Sequence, residues 1–262
     1  MVGPAAAGLL VARYGTAAAF LFNGLSFLAV IAALAAIRTE GAPRPRSGLG
    51  MGAEIAEGVR YALGNSRIAL VFGLLLSVSL FVVNMNVVVP LIARNVLHEG
   101  AHGFGLLMAA LGAGAVIGAL AVATFSVGRP PLWAVVAPAL TAATLLIALS
   151  FVHRFGLAVA VLMTLGFAQI AFMTACNTTV QITVPDELRG RIMGLYALVF
   201  AGMTPIGALI MGTVAERWGV LRACAVGGTM GLLLITTLTL AWRQAPGRAG
   251  TSSPGDGAPS VP

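Results

Sequence analysis

Apolar residues run along this chain in blocks long enough to cross a lipid bilayer, with short polar breaks between them. A crossing needs roughly 20 predominantly apolar residues, about 30 Å of hydrocarbon at 1.5 Å per residue. On that measure the pattern predicts helical spans at 17–37, 68–93, 104–127, 132–152, 156–184, 192–214 and 221–242. The fifth of these is long enough to require tilt or projection beyond the hydrocarbon. Ahead of them, Met1 to Ala12 is apolar and glycine-rich but only about half a crossing in length, as in the remnant of a further helix. Its first arginine, Arg13, follows the apolar run, the reverse of a secretory signal.

Composition agrees. Of 262 residues, 59% are hydrophobic and 9% charged, with a mean hydropathy of +0.98. That excludes a soluble globular domain and makes the bilayer the protein's solvent. Every basic residue apart from histidine is arginine. If span 17–37 runs inward, the inner segments hold Arg38, Arg44, Arg46, Arg60, Arg67, Arg129, Arg189, Arg191, Arg243 and Arg248, and the outer ones Arg13, Arg94, Arg154, Arg217 and Arg222. This bias predicts a multi-pass protein of the cell membrane with a cytoplasmic C-terminus. It also accounts for the net charge of +7 without a nucleic-acid partner. Cys176 and Cys224 both fall inside spans and imply no disulfide.

Four regions follow: 1–37, a partial helix and one span; 38–66, a cytoplasmic linker; 67–243, six spans; and 244–262, a Gly/Pro/Ser-rich tail too poor in apolar surface to fold. The linker opens as TEGAPRPRSGLG and then becomes periodic, with Ile55, Val59 and Leu63 recurring every fourth residue and Glu54, Glu57 and Arg60 elsewhere on the wheel. That fits a short helix on the membrane surface; an inner loop weakened by Gly52, Gly58 and Gly64 is the other reading. VGPAAAGLLVARYG at 2–15 and MTPIGALIMGTVAERWG at 203–219 share a small-residue–Pro start and an Arg–aromatic–Gly end, as in the repeats from which transporters are built.

Three segments resemble the major facilitator superfamily, in the drug- and siderophore-efflux branch that includes the enterobactin exporters. GPAAAG at Gly3–Gly8 is similar to the Gly-Pro motif on the fifth helix of antiporter members. EIAEGVRYALGNSRIALVF at Glu54–Phe72 is similar to the branch's central loop entering helix seven. VPDELRGRIMGLYALVFAGMTPIGALIMGTVAERWG at Val184–Gly219 resembles its loop between helices ten and eleven together with helix eleven. The resemblance implies an all-α transmembrane bundle of the facilitator fold, holding part of helix five and helices six to twelve. Four helices and part of a fifth would then be absent, and a missing N-terminal half or a second chain is expected as partner. It also implies that Arg189 and Arg191, with Arg129, latch the two halves on the cytoplasmic side. The loop after helix eight, GALAVATFSVGRPPLW, keeps Gly118, Gly128 and Arg129 but lacks the acidic residue of the family's gating signature.

The eight acidic residues all map to loops, the surface helix or the tail, so this chain supplies no intramembrane carboxylate for proton coupling. Candidate substrate contacts are neutral: Asn84 and Asn86 on one span, and Gln169, Met173, Asn177 and Gln181, four apart on another, with Thr178 beside them. Amides and methionine on one slowly rotating stripe suit a cavity for large, partly polar molecules; interhelical hydrogen bonding is the plainer reading of the same residues. Gly114 and Gly118 form a small-xxx-small pair for helix packing, joined by Gly3, Pro4 and Pro205 as candidate packing or kink positions, with Pro90 and Pro138 as further kinks. His98 and His102 flank Glu99 four apart, but Gly100 and Gly103 argue against the helix a metal site would need. No cofactor motif, nucleophile–base pair or phosphate-binding loop is present. The expected function is secondary-active efflux of a small organic molecule by alternating access. The alternatives are a non-functional or partner-dependent fragment of such a transporter, and a membrane-embedded enzyme.

Overall fold

The computed structural model describes residues 17, 21–36, 51–125 and 130–244. Gly3, Pro4, Arg129, residues 38–50 of the linker and residues 245–262 lie outside them. The chain divides into two compact units, Met1–Ala53 and Glu54–Pro262. In the first, α1 is an apolar helix, Leu21–Ala35.

The second unit is a helix bundle. It comprises α2 (Met51–Gly64) from Glu54 onward, α3 (Ser66–Phe81), α4 (Met85–Asn95), α5 (Ala101–Phe125), α6 (Trp133–Leu149), α7 (Phe155–Thr183), α8 (Asp186–Trp218) and α9 (Val220–Gln244). No strand occurs among the described residues. Among the described residues, five segments are long and apolar enough to cross a bilayer: Ser66–Asn95, Ala101–Thr124, Phe155–Thr183, Asp186–Trp218 and Val220–Gln244. Two of the expected spans are shorter helices, Leu21–Ala35 and Trp133–Leu149. At 17 residues, α6 is about 25 Å long, and Trp133 stands exposed at its start, a position suited to the lipid–water boundary.

Sequence signals set the helix ends. The Asn65 side chain accepts from the backbone N–H groups of Arg67 and Ile68 and caps α3. Asp186 and Glu187 occupy the first turn of α8, where the positive end of the helix dipole favours them. Gly219, at φ +87°, allows the direct turn from α8 into α9.

Lipid does not drive apolar helices together as water does, so their association rests on close packing, which glycine provides. A Cβ at Gly114 would lie 1.7 Å from the Met163 carbonyl oxygen, one at Gly118 2.8 Å from that of Phe167, and one at Gly166 1.9 Å from that of Leu111. The α5 and α7 backbones therefore touch directly. On α9, Gly227, Gly228 and Gly231 bring that helix onto α3 and α6 in the same way.

Two apolar clusters fill the bundle. One gathers α3 residues Ile68, Val71, Leu74, Leu75 and Val78 with Phe172, Cys176, Val180 and Ile192. The other gathers α4 residues Met85, Val88, Val89 and Ile92 with Leu107, Leu146, Leu162 and Met211. The junction of α3 and α4 separates them.

Candidate functional site

The sequence predicts one continuous span at 68–93; the structure interrupts it at Val82–Asn84. Backbone hydrogen bonding shows how. Val82 and Val83 both donate to the Val78 carbonyl, Met85 donates back to Val83, and Val87 and Val88 both donate to Asn84. The regular i to i−4 ladder is lost across the junction, upstream of Pro90, where a kink was expected.

Released carbonyls must find other donors when they are buried. Asn84 Nδ2 donates to the Leu80 carbonyl at 2.9 Å, replacing the helical bond the backbone would have made. Gln169 Nε2 on α7 donates to the Val82 carbonyl at 3.0 Å. The junction has space for Asn84 because Gly207 on α8 faces it: a Cβ there would lie 2.2 Å from the Leu80 oxygen and 2.5 Å from Asn84 Nδ2. Asn84 is 3% exposed, and its Oδ1 has no hydrogen-bond partner. Gly207 was not singled out from the sequence, although it follows Pro205 closely in a stretch of small residues.

The other candidate contacts lie on both sides of this junction. Asn86 opens α4 on an exposed face. Along α7, Gln169, Met173 and Asn177 are half-buried and Gln181 is exposed. Residues four apart advance about 40° per step around a helix, so the stripe turns outward from the broken helix toward the C-terminal end of α7. Gln181 Nε2 donates to Asn177 Oδ1, and Tyr196, edge-on to Phe72, lies with its hydroxyl 3.5 Å from the Met173 carbonyl. Thr178 is half-buried.

The arginines do different things. Arg189 pairs with Asp186 one turn earlier at 2.5 Å, both exposed. Arg191 reaches α2, pairing with Glu57 and, at 3.4 Å, with Glu54. This fixes the rotation of α2. Glu54, Glu57, Gly58, Tyr61 and Ala62 turn inward, while Ile55, Val59 and Leu63 face out, Leu63 at 73% exposure. Sequence reading placed the apolar stripe but missed that the two glutamates, three apart, share one arginine. Arg67, just inside α3, donates to the Pro130 carbonyl ahead of α6. Pro205 lies within α8; Thr204 Oγ1 donates to the Phe200 carbonyl beside it. His98, at φ +52°, lies between α4 and α5 and His102 in the first turn of α5; both are exposed, the helix expected to be blocked by Gly100 and Gly103 starts between them at Ala101, and no group of three metal-ligating side chains forms among the described residues.

A sequence profile for transmembrane secretion effectors matches residues 1–258. The chain is 25% identical over 224 residues to the multidrug efflux pump Tap of Mycobacterium tuberculosis, covering 84% of this chain and 53% of that protein. It is 26% identical over 241 residues to the multidrug efflux pump Tap of Mycolicibacterium fortuitum, covering 90% and 58%. The chain thus spans little more than half the length of these relatives. With an all-helical fold of membrane-crossing length and a profile match along nearly its whole extent, the chain belongs to the transmembrane secretion effector family of major facilitator superfamily transporters.

Proposed function

We propose that this chain forms the C-terminal part of a secondary-active exporter that moves a small organic molecule across the cell membrane by alternating access. The observation that carries the reading is the polar stripe on α7, which begins at the broken helix with Gln169 and emerges at Gln181. Neutral amides interleaved with methionine contact varied, partly polar molecules without fixing one shape. The names of the two efflux-pump relatives support the same direction of transport. A transport path between two halves requires a partner: an N-terminal half, on the same polypeptide or supplied by a second chain. Arg189 and Arg191, with Arg129, would close the cytoplasmic side; the outward stripe of α2 supports its position at the membrane surface, and the excess of arginine on that side supports a cytoplasmic C-terminus. Nothing in the reading calls for a catalytic step.

The test is dye export from cells producing this chain together with an N-terminal six-helix half. Ethidium efflux should appear only with both, and should fall at least several-fold in Asn177→Leu and Gln181→Leu. Absence of export with both parts present in the membrane would reject the reading.

A further inference from the structure

The rotation of α2 decides which of its residues meet the surroundings. Arg191 on α8 takes both Glu54 and Glu57. A Cβ at Gly58 would meet the Arg191 and Ile192 side chains at 3.9 Å, and Tyr61 and Ala62 pack into the apolar cluster that holds Ile192. The opposite face is left with Ile55, Ala56, Val59, Arg60 and Leu63, all exposed, and Ile55 and Leu63 are more than half exposed. From Ile55 to Leu63 the strip runs about 12 Å at 1.5 Å per residue. Two observations say what covers it. The first is position: α3 opens a bilayer-crossing segment at Ser66, and between α2 and α3 stands Asn65, extended at φ −96° and ψ 106°, which turns the chain there. The strip therefore lies where the chain enters hydrocarbon. The second is charge. With both acids drawn inward, Arg60 is the one charged residue of α2 on this face, and it makes no ion pair among the described residues. The sequence ahead of α2 adds Arg38, Arg44 and Arg46 against Glu40. A matching surface is apolar beneath and negative on top, which is the boundary of a bilayer carrying anionic phospholipid.

We propose that the exposed face of α2 docks on anionic phospholipid, with Ile55, Val59 and Leu63 at the acyl boundary and Arg60 on the lipid phosphates. Arg191 is the positioning residue: it keeps Glu54 and Glu57 turned away from phosphates that would repel them. The proposal rests on the placement of α2 at the membrane surface in the transport reading, and deepens it by naming the lipid chemistry and the residue that orients the helix. Its test contains no transport step, so either can fail without the other.

The complete chain is reconstituted in nanodiscs of phosphatidylcholine alone or of an equal mixture with phosphatidylglycerol. Cys176 and Cys224 are buried, so a fluorophore can be placed at Val59→Cys or Leu63→Cys. Either label should be quenched by acyl-brominated lipid and shielded from aqueous iodide, and a label at Glu187→Cys, exposed in the first turn of α8, should show the reverse. Hydrogen exchange across α2 should be about fivefold slower in the mixture than in phosphatidylcholine, the contribution of one arginine near an anionic surface. Arg60→Gln should abolish that difference and leave the lipid quenching in place. Arg191→Gln should lose more protection in the mixture than in phosphatidylcholine, whereas a merely structural ion pair would lose the same in both; equal losses would overturn its positioning role. Iodide quenching without lipid quenching at both labels, equal exchange in the two lipids, or a lipid difference that survives Arg60→Gln would overturn the proposal. Shielding that appears only when an N-terminal half is added would assign the strip to protein and overturn it too.

Discussion

Substituting Gly114 by alanine tests whether backbone contact between α5 and α7 holds the bundle together. The added Cβ would lie 1.7 Å from the Met163 carbonyl oxygen and 2.6 Å from its carbon. Neither is the end of a flexible side chain, so the two helices must separate by about 1.5 Å to restore a normal contact. Even a 0.5–1 Å gap forfeits about a quarter to a half of each contact's attraction, and this is the most extensive helix pair in the fold. Overpacking costs about 1–3 kcal/mol, sometimes more. A clash with backbone, which cannot swing aside, belongs at the upper end of that range, and alanine's helix propensity returns at most about 1 kcal/mol, leaving a net loss of about 2 kcal/mol. For a chain of this size each kcal/mol shifts Tm by about 2–4 °C, and a drop of roughly 4–8 °C is expected by thermal unfolding in detergent. Gly105→Ala, on the same helix with nothing within 4 Å of its added carbon, controls for propensity and should not lower Tm. A double-mutant cycle sharpens the test. Gly166→Ala forces the same two helices apart, its Cβ meeting the Leu111 oxygen at 1.9 Å, so the double mutant should cost clearly less than the two single losses added. Gly114→Ala as stable as Gly105→Ala, or strict additivity with Gly166→Ala, would refute direct backbone packing.

Gln169→Leu removes the donor from the Val82 carbonyl and should lower stability by about 1–3 kcal/mol, whereas Gln181→Leu, exposed on the same helix, should stay within about 0.5 kcal/mol; equal losses in thermal unfolding would contradict the bonding at the junction. Arg191→Gln removes the cation that Glu54 and Glu57 share, and because the pair is partly exposed the loss is about 1 kcal/mol, read as roughly fivefold faster hydrogen exchange across α2. Exchanging the charges as Arg191→Glu with Glu57→Arg should restore much of the protection, and exchange indifferent to both variants would show that the ion pair does not hold α2. Cys176 and Cys224 are buried, so a water-soluble maleimide should label neither in the folded chain and both after denaturation; rapid native labelling of either would contradict its placement.

Length and polarity were legible because a bilayer forces each crossing to satisfy its own backbone, which ties apolar length to helix length residue by residue. The same averaging hid the most consequential feature. Val82 and Val83 are as apolar as their neighbours, so hydropathy runs smoothly through the broken helix. The signal was one polar residue, Asn84, four positions after Leu80, placed to take that carbonyl in place of the backbone amide. An asparagine side chain competes with the main chain in this way wherever space allows, and the space comes from Gly207, distant in sequence and visible only once α8 lies against α3.

The α7 stripe shows what spacing can and cannot say. Four-residue intervals put Gln169, Met173, Asn177 and Gln181 on one face, and the slow rotation of that face explains why the first is half-buried and the last exposed. Spacing cannot distinguish an amide whose nitrogen already serves a carbonyl from one free to meet a ligand, because that depends on where the helix opposite has lost its ladder. The chemistry of Gln169 is therefore fixed by Val82, not by its own stripe. Its nitrogen holds the broken helix. Glu54 and Glu57 follow the same logic at the surface. Their spacing gave a face, and Arg191 gave that face its direction, turning the acids inward and leaving Ile55, Val59 and Leu63 to the outside.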